Sequence, residues 1–354
     1  MSIIARNINI PAFLKIENGC LPHIRRILEL HHFHFEKPLI ISESHILSLG
    51  GNDVVNAFNQ PGIYLYRDNS IAEAKLIARE VHEKDNDVVI SIGGGRVLDL
   101  GKYAATKAQM NYISIPTNPS NDSICSPVAV LKNDEGMTES LPVHMPIGIL
   151  VDPRMLKSVP EEYIRAGIGD LFAKFSSIAD WRLADTMGKD RIDDFAASMA
   201  YSAAELLFQT CRERIIDIHD DHFLTTLMHG LILSGIAMSI AGNSRPCSGA
   251  EHKISHAIDM LYPGISQHGL QVAVGTLFTT YLRNESIDTL LSCMRALKLP
   301  CVFEELGLSE DQAVKVLLNA PKTRERYTIL EQLNLDEAQA RTYIHNYEHS
   351  IAQR

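Results

Sequence analysis

Three histidines are the residues of this chain best suited to chemistry: His252, His256 and His268. The first two are four positions apart, a spacing that puts both on one face of a helix. Tyr262-Pro263-Gly264 breaks that helix, and His268-Gly269 opens a second apolar segment. Two helices joined by so short a turn can carry His252 and His268 towards one point, as half of a metal site. Asp170 offers a carboxylate to complete it, and two imidazoles with one carboxylate and an open fourth position make a catalytic zinc set. Asp170 has plainer readings as well. It is an i,i+4 partner for Lys174, and it is a cap, because Gly169-Asp170-Leu171 begins or interrupts a long helical pattern.

A second group of residues falls where nucleotides bind in α/β proteins. Gly93-Gly94-Gly95 lies between an apolar run and a helical pattern, so it is either a tight turn or a loop that lets phosphate approach backbone N–H groups. Asp99 and Lys102 follow one turn into that helix, as a surface ion pair or as part of the same loop's chemistry. Glu43 follows the first strand of the alternation. A carboxylate there either sits exposed on a loop or accepts hydrogen bonds from a ribose and repels a 2′-phosphate.

The elements that must position these groups come in two kinds. Through residue 160 the pattern alternates. Strands are predicted at 38–42, 63–66, 87–92, 111–115 and 147–151, after a short strand and turn within 1–20, with helices at 21–35, 71–84 and 97–108. A further helix runs through Ile46 until Gly50-Gly51-Asn52 stops or interrupts it. Residues 116–127 form a loop dense in proline and small polar residues, and 128–131 with 137–141 form a hairpin. Such alternation implies an α/β domain over 1–160 with a doubly wound, mostly parallel Rossmann-like sheet, binding its ligand at the strands' carboxyl ends. Asp152-Pro153 ends that part. Residues 161–354 read as an all-α domain, with helices near 165–185, 193–212, 220–241, 251–261, 271–281, 286–297, 309–319 and 336–350.

Composition narrows the class. With 45% hydrophobic and 21% charged residues, the 354-residue chain is an ordinary globular one. A net charge of -10 argues against nucleic acid or an anionic membrane as the main partner, but leaves room for a small anion in a local basic pocket. No signal peptide and no uninterrupted apolar run of about 20 residues is legible, so no membrane insertion is expected. Six scattered cysteines without a CxxC pattern read as reduced thiols of a cytoplasmic protein. The apolar helices of the second half are compatible with a homo-oligomer.

Taken together these motifs resemble the sn-glycerol-1-phosphate dehydrogenases, within the wider group of iron-containing alcohol dehydrogenases, glycerol dehydrogenases and dehydroquinate synthases. The likeness runs over nearly the whole chain. It is carried by Gly93-Gly94-Gly95-Arg96 through Asp99 to Lys102, by Ser114-Ile-Pro-Thr117 with Asn121-Asp122 and Ser126-Pro127, and by Gly169-Asp170-Leu171 with Asp180-Trp181 and Leu183-Ala184. Ser244 to His252 (SRPCSGAEH), Ser255-His256-Ala257, His268-Gly269 and Glu325 to Leu330 (ERYTIL) complete it.

The resemblance implies a dehydroquinate synthase-like fold. Asp170, His252 and His268 would then hold one divalent metal, usually zinc, with nickel or iron as alternatives. His256 would orient a ligand or relay a proton, and Asp122 would meet substrate hydroxyls. Gly94, Gly95, Asp99 and Lys102 would bind the dinucleotide, with Thr117, Ser120 and Ser126 near its phosphates or nicotinamide. The implied reaction is reduction of dihydroxyacetone phosphate by nicotinamide hydride, the metal acting as Lewis acid on the carbonyl. The substrate phosphate needs cations, and Arg245 is the first candidate, since a guanidinium binds two oxygens at once; Lys132, Lys174 and Arg165 follow. Three positions depart from the family pattern: Asn121-Asp122-Ser123 for His-Asp-Gly, Leu270 for the acid of HGE, and Glu43 for a glycine. Glu43 favours NAD(H) over NADP(H). Competing readings are an oxidoreductase for another small polyol, aldehyde or phosphonate, a sugar-phosphate cyclase, and a scaffold that only binds nucleotide.

Overall fold

The computed structural model describes residues 8–213 and 216–354, and the expected strand within 1–20 is described only from Ile8 onward. The chain forms two compact units that meet in sequence between Pro160 and Glu161.

The first unit is built on a six-stranded sheet of β1 (Phe13–Ile16), β2 (Pro38–Ser42), β3 (Gly62–Leu65), β4 (Val88–Gly93), β5 (Tyr112–Pro116) and β8 (Gly148–Val151); β6 (Val128–Lys132) and β7 (Thr138–Pro142) form a separate antiparallel hairpin. The sheet's order is β1-β8-β5-β4-β2-β3, every neighbouring pair parallel. β2, β4 and β5 are buried along their whole length, as the apolar runs PLIIS, VVISIG and YISIP require of strands covered on both faces. From β2 the chain passes to β3 on one side and later to β4 and β5 on the other. The direction of winding therefore reverses between β2 and β4, where such sheets hold ligands. Glu43 follows β2 and Gly94 follows β4 at that point.

Two buried clusters flank the sheet. One includes Ala74, Ile77, Ala78 and Val81 of the Ile71–Glu83 helix, whose i, i+3, i+4, i+7 spacing makes a single apolar face. Ser70 starts that helix by accepting from Glu73 N at 3.2 Å. Across the sheet, Leu21, Ile24, Ile27 and Leu28 join the second cluster. The Gly95–Ala108 helix lies so close to the sheet that a Cβ on Gly101 would stand 1.8 Å from Ser91 Oγ.

Two expectations need correction here. The helix predicted over 21–35 is a 3-10 turn, Leu21–His23, and an α-helix that ends at Leu30. His32 takes φ 63°, and bonds from Phe33 N to Leu28 O and from His32 N to Glu29 O close the helix end, leaving Phe33 and Phe35 to stack outside it. The α/β part does not stop at Asp152-Pro153: Asp152 caps a short helix, Pro153–Lys157. The interruption expected at Gly50-Gly51-Asn52 is present: Gly50 takes φ 150° within a π turn, and a separate short helix, Asn52–Asn56, follows the kink.

The second unit is helical: Glu161–Thr186, Asp194–Glu213, Asp221–Ala241, Ala250–Leu261, His268–Leu282, Asp288–Ala296, Glu310–Asn319, Ile329–Leu333 and Glu337–Gln353. The short Ile329–Leu333 helix has no counterpart in the sequence reading. Caps explain several boundaries. Asp220 accepts from His222 N and Phe223 N, Gly242 closes the same helix at φ 69°, and capping boxes start the Glu310 and Glu337 helices. Asp221–Ala241 is long and apolar enough to cross a membrane, with mean hydropathy 1.7 in its most apolar window, yet 72% of that window is buried inside the protein. A core helix meets the same test of length and composition.

Candidate metal centre and nucleotide loop

Gly169 and Asp170 neither begin nor interrupt a helix. They lie within the unbroken Glu161–Thr186 helix, and Asp170 is 1% exposed. The glycine's purpose is contact. A Cβ on Gly169 would stand 2.2 Å from Gly269 O, and a Cβ on Gly269 would stand 1.9 Å from Ala166 O. Two helices thus touch backbone to backbone, with Asp170 beside one glycine and His268 beside the other. Asp180, nearly three turns further along the first helix, accepts from Ala250 N at 2.7 Å and so fixes the start of the helix that carries His252. One ligand atom from each of Asp170, His252 and His268 consequently lies within 4.8 Å of the others. The ion-pair reading of Asp170 also holds, since Lys174 Nζ is 3.4 Å from its Oδ1. The capping reading does not, because the residue is mid-helix.

Hydrogen bonds choose the tautomer of both imidazoles. His252 Nδ1 lies 2.9 Å from Glu251 Oε1, and an ionised carboxylate can only accept, so Nδ1 carries the proton. Ser255 Oγ gives its one proton to the Gln271 carbonyl oxygen at 2.6 Å and must accept from His268 Nδ1 at 2.8 Å. In its neutral form each ring therefore presents an unprotonated Nε2, the form a metal binds. Burial works against the charged form of His252, but Asp170 and Glu251 outweigh it and raise that ring's pKa, so a metal at this point displaces the Nε2 proton that Asp170 favours. His252 Nε2 is 3.5 Å from Asp170 Oδ1. Donor types, spacing and tautomers all fit a divalent cation. Leu270 stands where the family has an acid, and here Ser255 and Gln271 orient His268.

Charge at the site is set by burial and neighbours. Burial pushes the Asp170 carboxyl up, but Lys174 and His252 outweigh it and hold the group well below the usual carboxylate range. Burial, followed by His268, His252, Arg324 and Arg326, holds His256 well below the usual histidine value, so it is neutral near pH 7. Its ring centroid is 6.4 Å from that of His252 and 6.2 Å from that of His268, one turn along from the ligands and not among them.

In the first unit, Gly94 caps the Gly95–Ala108 helix without a side chain, so the first-turn N–H groups are offered to an outside acceptor. Asp99 and Lys102 are not a surface pair. Both are buried, 3.0 Å apart. Lys102 Nζ donates to Ser126 O, Ser126 Oγ and Val128 O, while Asp99 Oδ2 accepts from Val130 N and Ser123 Oγ. Their contacts clamp the 117–128 loop onto the helix. Thr117 N donates to Gly93 O at 3.0 Å, and Ser126 Oγ donates to Val128 O, so these two residues are also part of the clamp. Ser120 and Asp122 are half-buried on the same loop, and Glu43 is half-buried after β2.

Arg245 is 5% exposed and occupied. Nε donates to Asp190 at 2.7 Å and Nη1 to Tyr327 O at 2.8 Å. Lys174 is fully buried against Asp170, and Arg165 pairs with Glu161. Sequence reasoning missed Glu251, Ser255, Gln271, Arg324 and Arg326. Glu251 and Ser255 each adjoin a histidine, which is the only local sign of them.

Residues 15–160 match the model of the family described as iron-containing alcohol dehydrogenase. A glycerol-1-phosphate dehydrogenase (NAD(P)+) of Hyperthermus butylicus is 34% identical over 332 residues, covering 93% of this chain and 94% of that protein. One from Metallosphaera sedula is 32% identical, covering 96% and 97%. Among solved structures, a glycerol dehydrogenase from Schizosaccharomyces pombe superposes with a TM-score of 0.79 at 17% identity, covering 99% of this chain and 92% of that one. A probable glycerol dehydrogenase from Sinorhizobium meliloti gives 0.77 at 18%, covering 99% and 100%, a likeness of fold. With its parallel sheet, its helical second half and relatives above 30% identity along nearly the whole length, the chain belongs to the glycerol-1-phosphate dehydrogenases of the iron-containing alcohol dehydrogenase group.

Proposed function

We propose that this protein reduces dihydroxyacetone phosphate to sn-glycerol 1-phosphate with NADH in preference to NADPH. The observation that carries the reading is the paired Nε2-presenting imidazoles beside a buried, ionised Asp170. In the net reaction a hydride passes from the nicotinamide to the carbonyl carbon, a proton reaches the carbonyl oxygen, and the oxidised dinucleotide leaves. Asp170, His252 and His268 would hold a divalent cation, zinc by the nature of the donors, which when bound would supply Lewis acidity to that oxygen. Glu251 and Ser255 keep the two rings in the binding tautomer. His256, neutral and one turn from the ligands, passes the proton inward. Gly94 and Gly95 admit the dinucleotide phosphates to the helix N-terminus, Asp99, Lys102, Thr117 and Ser126 hold the loop that faces it, and Ser120 and Asp122 line that loop. Glu43 at the turning point of the sheet accepts from the ribose and disfavours a 2′-phosphate. The six cysteines, all free thiols and buried, accord with a reducing cytoplasm.

Purified protein with zinc, NADH and dihydroxyacetone phosphate should lose nicotinamide absorbance and yield the 1-phosphate on chiral analysis. Turnover of glycerol or another aldehyde, with none of the ester, refutes the assignment. His252→Ala should lose metal and activity together, and full metal occupancy in that variant would overturn the ligand set.

A further inference from the structure

Three arginines gather at the turn that leads into the histidine helix. Arg245 belongs to that turn and is neutralised by Asp190. The other two reach it from an irregular segment after Thr323. Arg324 Nη1 donates to Ser244 Oγ at 3.2 Å and to Ser248 Oγ at 3.3 Å. Arg326 Nη2 donates to Ser244 Oγ at 3.0 Å, and its Nη1 donates to the Ser248 carbonyl. Both side chains are half-buried, and among the described residues neither has a carboxylate within ion-pair distance. The nearby Lys253 is matched by Glu331 at 2.5 Å and anchors the segment by donating to Arg326 O at 2.8 Å. Of the three guanidiniums only Arg245 is directly paired with a carboxylate, while Glu251 and Asp190 act on Arg326 without forming an ion pair with it.

Partly desolvated cations without a directly paired counter-charge cost free energy unless an anion completes them. Serine hydroxyls can hold a guanidinium in place, but they cannot balance its charge. Burial first, and then Arg324 and Arg245, push the Arg326 guanidinium down to about 9, which shows how crowded with positive charge the place is. Arg324 and Arg326 also act on His256, one turn from the metal ligands, so the cations lie within electrostatic reach of the reacting centre. A three-carbon ester is short, and its phosphate must be seated close to the carbonyl it carries.

We propose that Arg324 and Arg326, steadied by Ser244 and Ser248, bind the phosphate dianion of the substrate. Arg245, tied to Asp190 and Tyr327 O, instead fixes the turn. This rests on the reading of the substrate as a phosphomonoester. Two planar forks at one turn offer a phosphate several charge-assisted hydrogen bonds, the recognition at which arginine surpasses lysine. An unphosphorylated ketone leaves both forks without their anion, so the pair sets specificity for the ester.

The test compares dihydroxyacetone phosphate with dihydroxyacetone for the zinc enzyme and for its Arg324→Gln, Arg326→Gln and Arg326→Lys variants. Each glutamine variant should raise KM for the ester about tenfold to a hundredfold. The ratio of kcat/KM for ester over ketone should fall at least about tenfold, with Arg326→Lys recovering part of it. Inorganic phosphate, titrated calorimetrically into the zinc-loaded protein, should bind the wild type and bind each glutamine variant about tenfold or more weakly. Equal losses on both substrates with an unchanged ratio, or undiminished phosphate binding, would overturn the proposal. If the wild type ignores the ester while phosphate binding still depends on both arginines, the anion site stands and the proposed substrate falls. If the ester is turned over equally well by wild type and variants, the substrate stands and the anion site falls.

Discussion

Gly269→Ala is the sharpest test of how the metal centre is assembled. The added Cβ would stand 1.9 Å from Ala166 O, where ordinary contact begins near 3.4 Å, so the two helices must part by about 1.5 Å or tilt. The obstacle is a carbonyl oxygen, and no change of side chain at Ala166 can relieve it. Overpacking of this kind costs about 1–3 kcal/mol, and rigid backbone on both sides puts it at the upper end. For a unit of this size that lowers Tm by roughly 10 °C. The effect on function is larger in proportion. His268 adjoins Gly269 and Asp170 adjoins Gly169, so parting the helices parts two ligands. Metal–ligand distances hold to within about 0.2 Å, several times less than the displacement required. Competition against a chromophoric chelator should show zinc affinity reduced at least about tenfold, alongside the lower Tm by calorimetry. Zinc affinity within about twofold of wild type, with Tm within about 2 °C, would refute the claim that the glycine contact sets the ligand geometry.

Ser255→Ala removes the acceptor for His268 Nδ1–H and should weaken zinc binding about 10–100-fold at unchanged helix content by circular dichroism; wild-type affinity would show that the tautomer is held by something else. Glu43→Gly should raise kcat/KM for NADPH relative to NADH, and an unaltered cofactor ratio would sink the ribose contact. Asp180 tests linkage. Burial, opposed by Arg283 and reinforced by Glu251, raises its pKa to about 6 from 3.8. A raised folded-state pKa means that its share of stability is full below about pH 3.8 and is lost as pH rises through about 6. The stability of wild type relative to Asp180→Asn should therefore decline across that window by about 3 kcal/mol, followed by urea unfolding at a series of pH values. A difference that stays flat with pH contradicts the assignment.

Much of the architecture is local and could be read from the chain. The runs PLIIS, VVISIG and YISIP, each too apolar for an exposed strand, announce a parallel sheet, and the helical periodicity after residue 161 announces the second half. Capping residues such as Ser70, Asp220, Ser309 and Asp336 mark boundaries because they act within three residues of themselves. His252, His256 and His268 are likewise visible through spacing and an intervening turn. The helix end at Leu30 is hidden in the sequence because apolar periodicity continues through Phe33 and Phe35, while the stop depends on His32 taking a positive φ.

What spacing could not decide is everything that depends on two distant segments meeting. Gly169 reads as a helix breaker in one dimension, and only the approach of Gly269 shows that its missing side chain is the contact. Asp99 and Lys102 read either as a surface pair or as part of the nucleotide loop until the loop after β5 covers them. Arg245 reads as a free cation until Asp190 takes it, and Arg324 with Arg326, some eighty positions away, supplies positive charge without a directly paired carboxylate instead. Residue type and periodicity determine which groups can do chemistry and which elements carry them. Burial, tautomer and net charge at a point are properties of the packed unit, because each is set by whatever the fold brings within a few ångströms.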